Sequence, residues 1–245
     1  MRLAWWGTAW LRGHVVADHL IDALVDQDAI HLMAFPGSDP EPLMTGLGRL
    51  RSEGADALGA ALPVEGDPVG LGGPAAFNAA ALDVGEAVVA VDAAGFTLRG
   101  LVPERVGAAV TWSVLAADRR QLPDVGEADR ALRAALPEAA DALARLDVAR
   151  WRPEVADLLM AELSRNVRHR PRLAAPRGVP PRCVELAARG LQALDIVALA
   201  LVDDGGALTA LEAESRRAAL RPLGRAARRA LVAAASPEVW PPDPA

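Results

Sequence analysis

The sequence predicts an α/β fold: a mixed β-sheet of about five strands flanked by helices, followed by an all-helical C-terminal segment. Three observations predict it. Helix-like and strand-like runs alternate between residues 18 and 92. Two further strand-like runs then follow one another with only turn residues between them, as in a meander. After Pro123 the apolar spacing becomes helical and stays so.

Trp5, Trp6 and Trp10 open the chain, and aromatics this dense require burial, in the core ahead of a partner. Residues 18–27 read as a helix, because Leu20 and Leu24, and Ile21 and Val25, recur at four-residue spacing. Residues 29–35 read as a strand. The loop Pro36-Gly37-Ser38-Asp39-Pro40 leads into a helix over 40–53, with Gly54 placed to end it. Residues 57–64 form a second strand, shortened by Pro63.

The stretch 65–92 organises the chain. It reads as a glycine-rich loop, a helix beginning at Pro74 and stopping at Gly85, and an apolar strand over 87–92 typical of a buried parallel strand. Asp92-Ala93-Ala94-Gly95 is a hairpin turn between it and strands over 96–102 and 108–116.

Leu132, Leu136, Leu143 and Leu146 then define a helical stripe that kinks or restarts at Pro137. Pro153 begins another helix, to about Leu163. A proline- and arginine-rich connector leads to helices over 182–202 and 207–234, joined by the turn Asp203-Asp204-Gly205-Gly206. Residues 1–122 thus read as an α/β domain, 123–235 as a helical C-terminal region packing on it, and 236–245 as an irregular tail that Trp240 docks.

Composition removes whole classes of chemistry. All 26 basic residues are arginine, and the chain has no lysine and no tyrosine. Schiff-base catalysis, a Walker lysine, a lysine base and a tyrosine acid are therefore excluded. Cys183 is the single cysteine, so no internal disulfide forms, and a reducing cytosol fits. The opening residues reach His14 and Asp18 too soon for a secretory signal, and the most apolar window, 186–202, is too short and too charged to span a bilayer. A soluble, cytoplasmic protein is expected. Its charge is uneven: residues 1–150 hold 12 Arg against 21 acids, and residues 151–245 hold 14 Arg against 11.

Two places carry candidate binding chemistry. Gly70, Gly72, Gly73 and Ala75 fit the G-x-G-x-x-A form of a dinucleotide loop, and Asp92 follows Gly72 by 20 residues, where a ribose-binding acid would sit. The loop is offset from its strand by Gly66-Asp67-Pro68, which favours a structural loop or a simpler anion cradle. Asp67 lies beside it, and Glu65, Asp67 and Asp92 are candidates to share a cleft. The second place is basic. Arg165, Arg168, Arg170 and Arg172 crowd the connector, and Arg217, Arg221, Arg225 and Arg228 share a face of the last helix. They suit a phosphate backbone, or a solvated face that pairs with the acidic N-terminal half. No aromatic is interleaved for base stacking.

Other signals are weaker. His14 and His19 are five apart and do not converge; with His31, Asp18 and Asp22 they make a metal cluster only if the fold gathers them. Cys183 follows Arg182 at a predicted helix start, a setting that lowers a thiol pKa, but a small buried residue is the plainer reading. No catalytic residue, metal site or cofactor is assigned.

Three function classes result. The first is a non-catalytic accessory or adaptor protein that binds a protein partner or self-associates. The second is a small enzyme or sensor that binds a phosphate-bearing metabolite at residues 70–75. The third is a nucleic-acid-binding protein using the arginine groups. A protein partner or homo-oligomer is expected ahead of nucleic acid, and no membrane.

Overall fold

A computed structural model describes residues 1–25, 30–147, 173–202 and 210–241. The connector arginines Arg165, Arg168, Arg170 and Arg172, the helix expected from Pro153 and the turn at 203–206 lie outside the described residues.

A six-stranded mixed sheet forms the centre. In chain order the elements are α1 (Arg2–Leu11), α2 (Ala17–Leu24), β1 (Ile30–Ala34), β2 (Glu41–Pro42), α3 (Leu43–Ser52), β3 (Ala57–Ala61), α4 (Ala75–Val84), β4 (Ala87–Val91), β5 (Thr97–Val106) and β6 (Ala109–Leu115). Helices α5 (Val125–Asp147), α6 (Pro181–Val202) and α7 (Ala210–Ala234) follow, then a 3-10 turn at Pro237–Val239. The strand order is β2-β1-β6-β5-β4-β3. Among the described residues only β1 and β6 pair in parallel.

The strand β4 corrects the sequence reading. All five residues are buried, but it runs antiparallel to both β3 and β5. A continuous apolar run reports that both faces are covered, and says nothing of direction. The strand β5 also runs past its expected end at Val102, through Pro103 to Val106. Its β4 partner is last matched at Leu101, so Pro103 withholds no bond on that side.

Both sheet faces are packed. Leu58, Val88, Ala90, Leu101, Val110, Trp112 and Val114 meet α1, α2 and α3 on one face. On the other, Phe77 and Ala81 of α4 meet Ala57, Ala61, Val89, Val91 and Val102. The Phe77 ring occupies the space that a side chain at Gly100 would need. Helix α4 starts one residue after Pro74 and ends on Gly85 at φ 83°, a left-handed cap suited to glycine.

The first and last helices meet at β3. Leu58 N–H donates to the Thr8 hydroxyl at 2.9 Å, and Ala60 N–H donates to the Ala235 carbonyl at 2.9 Å. Trp5, fully buried, donates its indole N–H to the Ala234 carbonyl at 3.0 Å. The outer edge of β3, which would otherwise offer unpaired groups to another strand, is thus closed by the chain's own two ends. One apolar cluster joins Ala4, Trp5 and Ala60 to buried residues of α5, α6 and α7. The sheet and the C-terminal helices therefore share a core.

The helix α5 continues through Pro137, and α7 contains Pro222, inside the helix read over 207–234 without a break. Tertiary packing sustains α7 there: Leu223, Ala226, Ala227 and Ala230 are all buried. No helix among the described residues is long and apolar enough to cross a membrane.

Candidate functional site

The site lies on the seam between the sheet and the helices, and the loop after β3 builds it. Val64 and Asp67 exchange backbone hydrogen bonds at 3.1 and 2.9 Å around Gly66, whose φ is 75°. This tight turn folds the chain back, so that Leu62 N–H donates to the Val69 carbonyl at 3.2 Å. The returning arm brings Asp67 against α7.

Asp67 is 4% exposed and faces three guanidinium groups. Arg225 Nε and Arg228 Nη2 lie 3.6 Å from Oδ2, and Arg229 Nη2 lies 3.5 Å from Oδ1. Arg225 also donates to the Gly66 carbonyl at 3.1 Å. Residues 225, 228 and 229 share one side of α7 because three- and four-residue steps return to the same face. Burial lowers the Arg228 pKa and Asp67 acts against that shift. Asp67 Oδ2 and Arg228 Nε are buried without a hydrogen bond, so the cluster is held by charge at slightly long range.

A cavity of about 380 Å³ opens beside this cluster. Asp67, Pro68, Val69 and Leu71 line it from the loop, Gln121, Leu122 and Pro123 from the connector after β6, and Arg229 from α7. Glu127, Ala128 and Ala131 complete it from the start of α5. Asp124 fixes that helix start, its Oδ1 accepting from Gly126 and Glu127 N–H at 2.8 and 2.9 Å. Those bonds, the one from Glu127 first, hold the Asp124 carboxyl below its usual range.

A second polar group pins the same seam. Arg120, 2% exposed at its side chain, pairs with Glu238 at 2.7 Å. It also donates to the Ala60 carbonyl at 2.8 Å and to Ser236 Oγ at 3.3 Å. It lies where a side chain on Gly59 would stand, so β3 needs glycine there. The tail expected to be irregular is therefore anchored by Glu238 and by Trp240, whose indole donates to the Ala234 carbonyl at 3.0 Å.

The residues chosen from sequence are distributed unevenly around this seam. Gly70 packs on the Ala61 backbone, and Gly72 packs on the Arg119 carbonyl. Gly73 accepts from Asp118 N–H at 2.8 Å and donates to Asn78 Oδ1 at 3.1 Å. These glycines give close approach of chain to chain. Ala75 begins α4 and is exposed. Asp92 is not brought to them. It closes the turn after β4, accepting from Ala94 and Phe96 N–H at 2.9 and 2.8 Å. That turn adjoins the Ala57 end of β3, whereas Gly70 packs at the Ala61 end, roughly 13 Å away along the strand. The cleft imagined for Glu65, Asp67 and Asp92 does not form, because a strand separates Asp92 from the other two.

The arginines of α7 divide in two. Arg217 and Arg221 reach Glu214 at 3.7 and 3.5 Å on an exposed surface. Arg225 and Arg228 join Asp67, as does Arg229, which the sequence reading did not single out. Its place four residues after Arg225, on the same helix face, was the signal that could have found it. Arg120 and Glu238 carried no signal, since they act through a contact between residues 118 positions apart, and Gln121 reaches the cavity only through the packing of the connector. The Cys183 thiol is pushed up to about 11 by burial, against the opposing effect of Arg182, so the helix start does not activate it. Among the described residues, no group of three or more His, Cys, Asp or Glu is placed to hold a metal ion.

The fold and seam define an α/β unit closed by C-terminal helices, with a charged cavity where the two meet. The chain belongs to the Rv1486c-like protein family: the model of the family's N-terminal domain matches residues 1–128, and that of its C-terminal domain matches residues 126–232. It is similar to "Uncharacterized protein Rv1486c" of Mycobacterium tuberculosis (strain ATCC 25618 / H37Rv), at 30% identity over 294 aligned residues that cover 98% of this chain and 97% of that protein. No solved structure matches the chain.

Proposed function

We propose that this protein is a binding protein or sensor for a small anionic metabolite, carboxylate- or phosphate-bearing, seated in the seam cavity. One observation carries the proposal. Three guanidinium groups converge on a single buried carboxylate at the rim of the cavity, and Arg229 belongs to both. One aspartate leaves the cluster with excess positive charge, and arginine presents paired donors suited to carboxylate and phosphate. The cavity volume, about 380 Å³, falls at the small end of the range of about 300–1,000 Å³ usual for ligand sites. The proposal takes up the second function class read from the sequence and moves its anion from residues 70–75 to the other side of the same loop.

Thermal unfolding against small phosphates and carboxylates tests it, with chloride as the ionic-strength control. A ligand present at a hundred times its Kd raises stability by about 2.7 kcal/mol, or roughly 5–10 °C in a chain of this size. The rise should vanish in Arg229→Ala. No shift with any anion beyond that given by chloride would defeat the proposal.

An accessory protein that self-associates is the second reading. Ile30 and Val106, 47% and 62% exposed, both lie opposite Ala109 and form an apolar row at one end of the sheet. Light scattering of wild type and of Ile30→Asp/Val106→Asp tests it: a monomer at all concentrations would end this reading.

A further inference from the structure

From the cavity lining we infer that the ligand is a zwitterion with an apolar body, of the class of a free α-amino acid with an aliphatic side chain. This rests on the anion-binding reading above and narrows it.

The cavity is not uniformly basic. Arg229 supplies a guanidinium, but Asp67 and Glu127 line the same space with carboxylates, and Gln121 adds an amide. A simple dianion held by Arg229 would also lie against the Glu127 carboxylate and be repelled by it. A ligand with a carboxylate and an ammonium on the same carbon resolves the conflict: its carboxylate meets Arg229, and its ammonium meets Glu127.

The acid open to an ammonium is Glu127, which is exposed, since Asp67 Oδ2 is buried and already faces Arg225 and Arg228 at 3.6 Å. The rest of the lining is aliphatic: Pro68, Val69, Leu71, Leu122, Pro123 and the alanines of α5. Among the described residues no aromatic lines the cavity, so a branched aliphatic side chain suits this lining better than a planar ring that needs a stacking surface. A nucleotide is disfavoured on the same ground.

Isothermal titration with three matched molecules tests the inference. L-Leucine has all three parts, 4-methylpentanoate lacks the amine, and 3-methylbutan-1-amine lacks the carboxylate. Inorganic phosphate is the fourth arm. L-Leucine should bind, and each truncated molecule should bind about tenfold or more weakly, the loss expected for one charge-assisted contact. Glu127→Gln, on an exposed residue, should weaken L-leucine and should not weaken 4-methylpentanoate, which loses only a repulsive neighbour. Arg229→Ala should weaken both.

If 4-methylpentanoate or phosphate binds as well as L-leucine, the zwitterion inference is overturned while the anion reading stands. Should the amine alone bind as well as L-leucine, both are overturned. If no arm binds, the inference is overturned for this class, and the wider anion panel decides the other.

Discussion

Replacing Arg120 by leucine should cost about 3–5 kcal/mol, although the residue lies in a connector with no regular structure. The magnitude follows from what it holds. Its side chain is 2% exposed and that of Glu238 is 14% exposed. Nε and Nη2 reach Glu238 Oε1 at 3.1 and 2.7 Å, and Nη1 reaches the Ala60 carbonyl at 2.8 Å. An exposed pair of this kind would be worth no more than about 1 kcal/mol. Removing one partner of a buried pair costs about 3–5 kcal/mol, because the other charge is left without a partner. The Ala60 carbonyl, on the edge of β3, loses its donor as well. At about 2–4 °C per kcal/mol for a chain of this size, the melting temperature should fall by roughly 6–20 °C. Urea unfolding followed by far-ultraviolet circular dichroism measures the loss directly. Arg120→Leu/Glu238→Leu should recover much of it, since the stranded carboxylate is gone. A single-variant loss below about 1 kcal/mol would refute the reasoning, as the pair would then behave like a surface contact.

Asp67→Asn should destabilise by about 1–3 kcal/mol, less than a fully buried pair because Arg225 and Arg229 are half exposed, and added phosphate should restore part of the loss. Gly72→Ala should cost about 1–3 kcal/mol in urea unfolding, because its methyl group would meet the Arg119 carbonyl. The Asp124 carboxyl is held below its usual range, so the stability from its cap is full above the unfolded-state value and is lost as pH falls through the depressed one; Asp124→Ala should flatten that acid limb in a pH series of melts. Cys183, buried and raised to about 11, should react with a disulfide reagent at pH 8 only when urea opens the structure, and rapid labelling of the native protein would contradict its placement.

Local rules made much of the fold legible. The bounds of α4 followed from Pro74 and Gly85 to within a residue, because both act through their own backbone geometry. The turn after β4 followed from Asp92 and Gly95 for the same reason. The apolar run of β4 did not give its direction against β3, although the hairpin turn after it already implied antiparallel pairing with β5. The site was half legible. Residues 65–75 stood out through their glycines, but those glycines serve close packing against residues 61 and 118–119. What the loop does for the cavity depends on Asp67, Gln121, Glu127 and Arg229, residues up to 162 positions apart that only tertiary packing assembles. Four arginines on one helix face suggested a single basic surface. The acids that divide them, Glu214 and Asp67, come from the first turns of the same helix and from the loop after β3, far away in sequence.

The most direct measurement is a structure determined with L-leucine, and in parallel inorganic phosphate, at saturating concentration. The expected result is ligand density against Arg229, between residues 67–71 and 121–128, with Arg120–Glu238 unchanged. Density at the start of α4 against residues 70–75, or an empty cavity in a complex that titration shows to be saturated, would contradict placing the binding site on the seam.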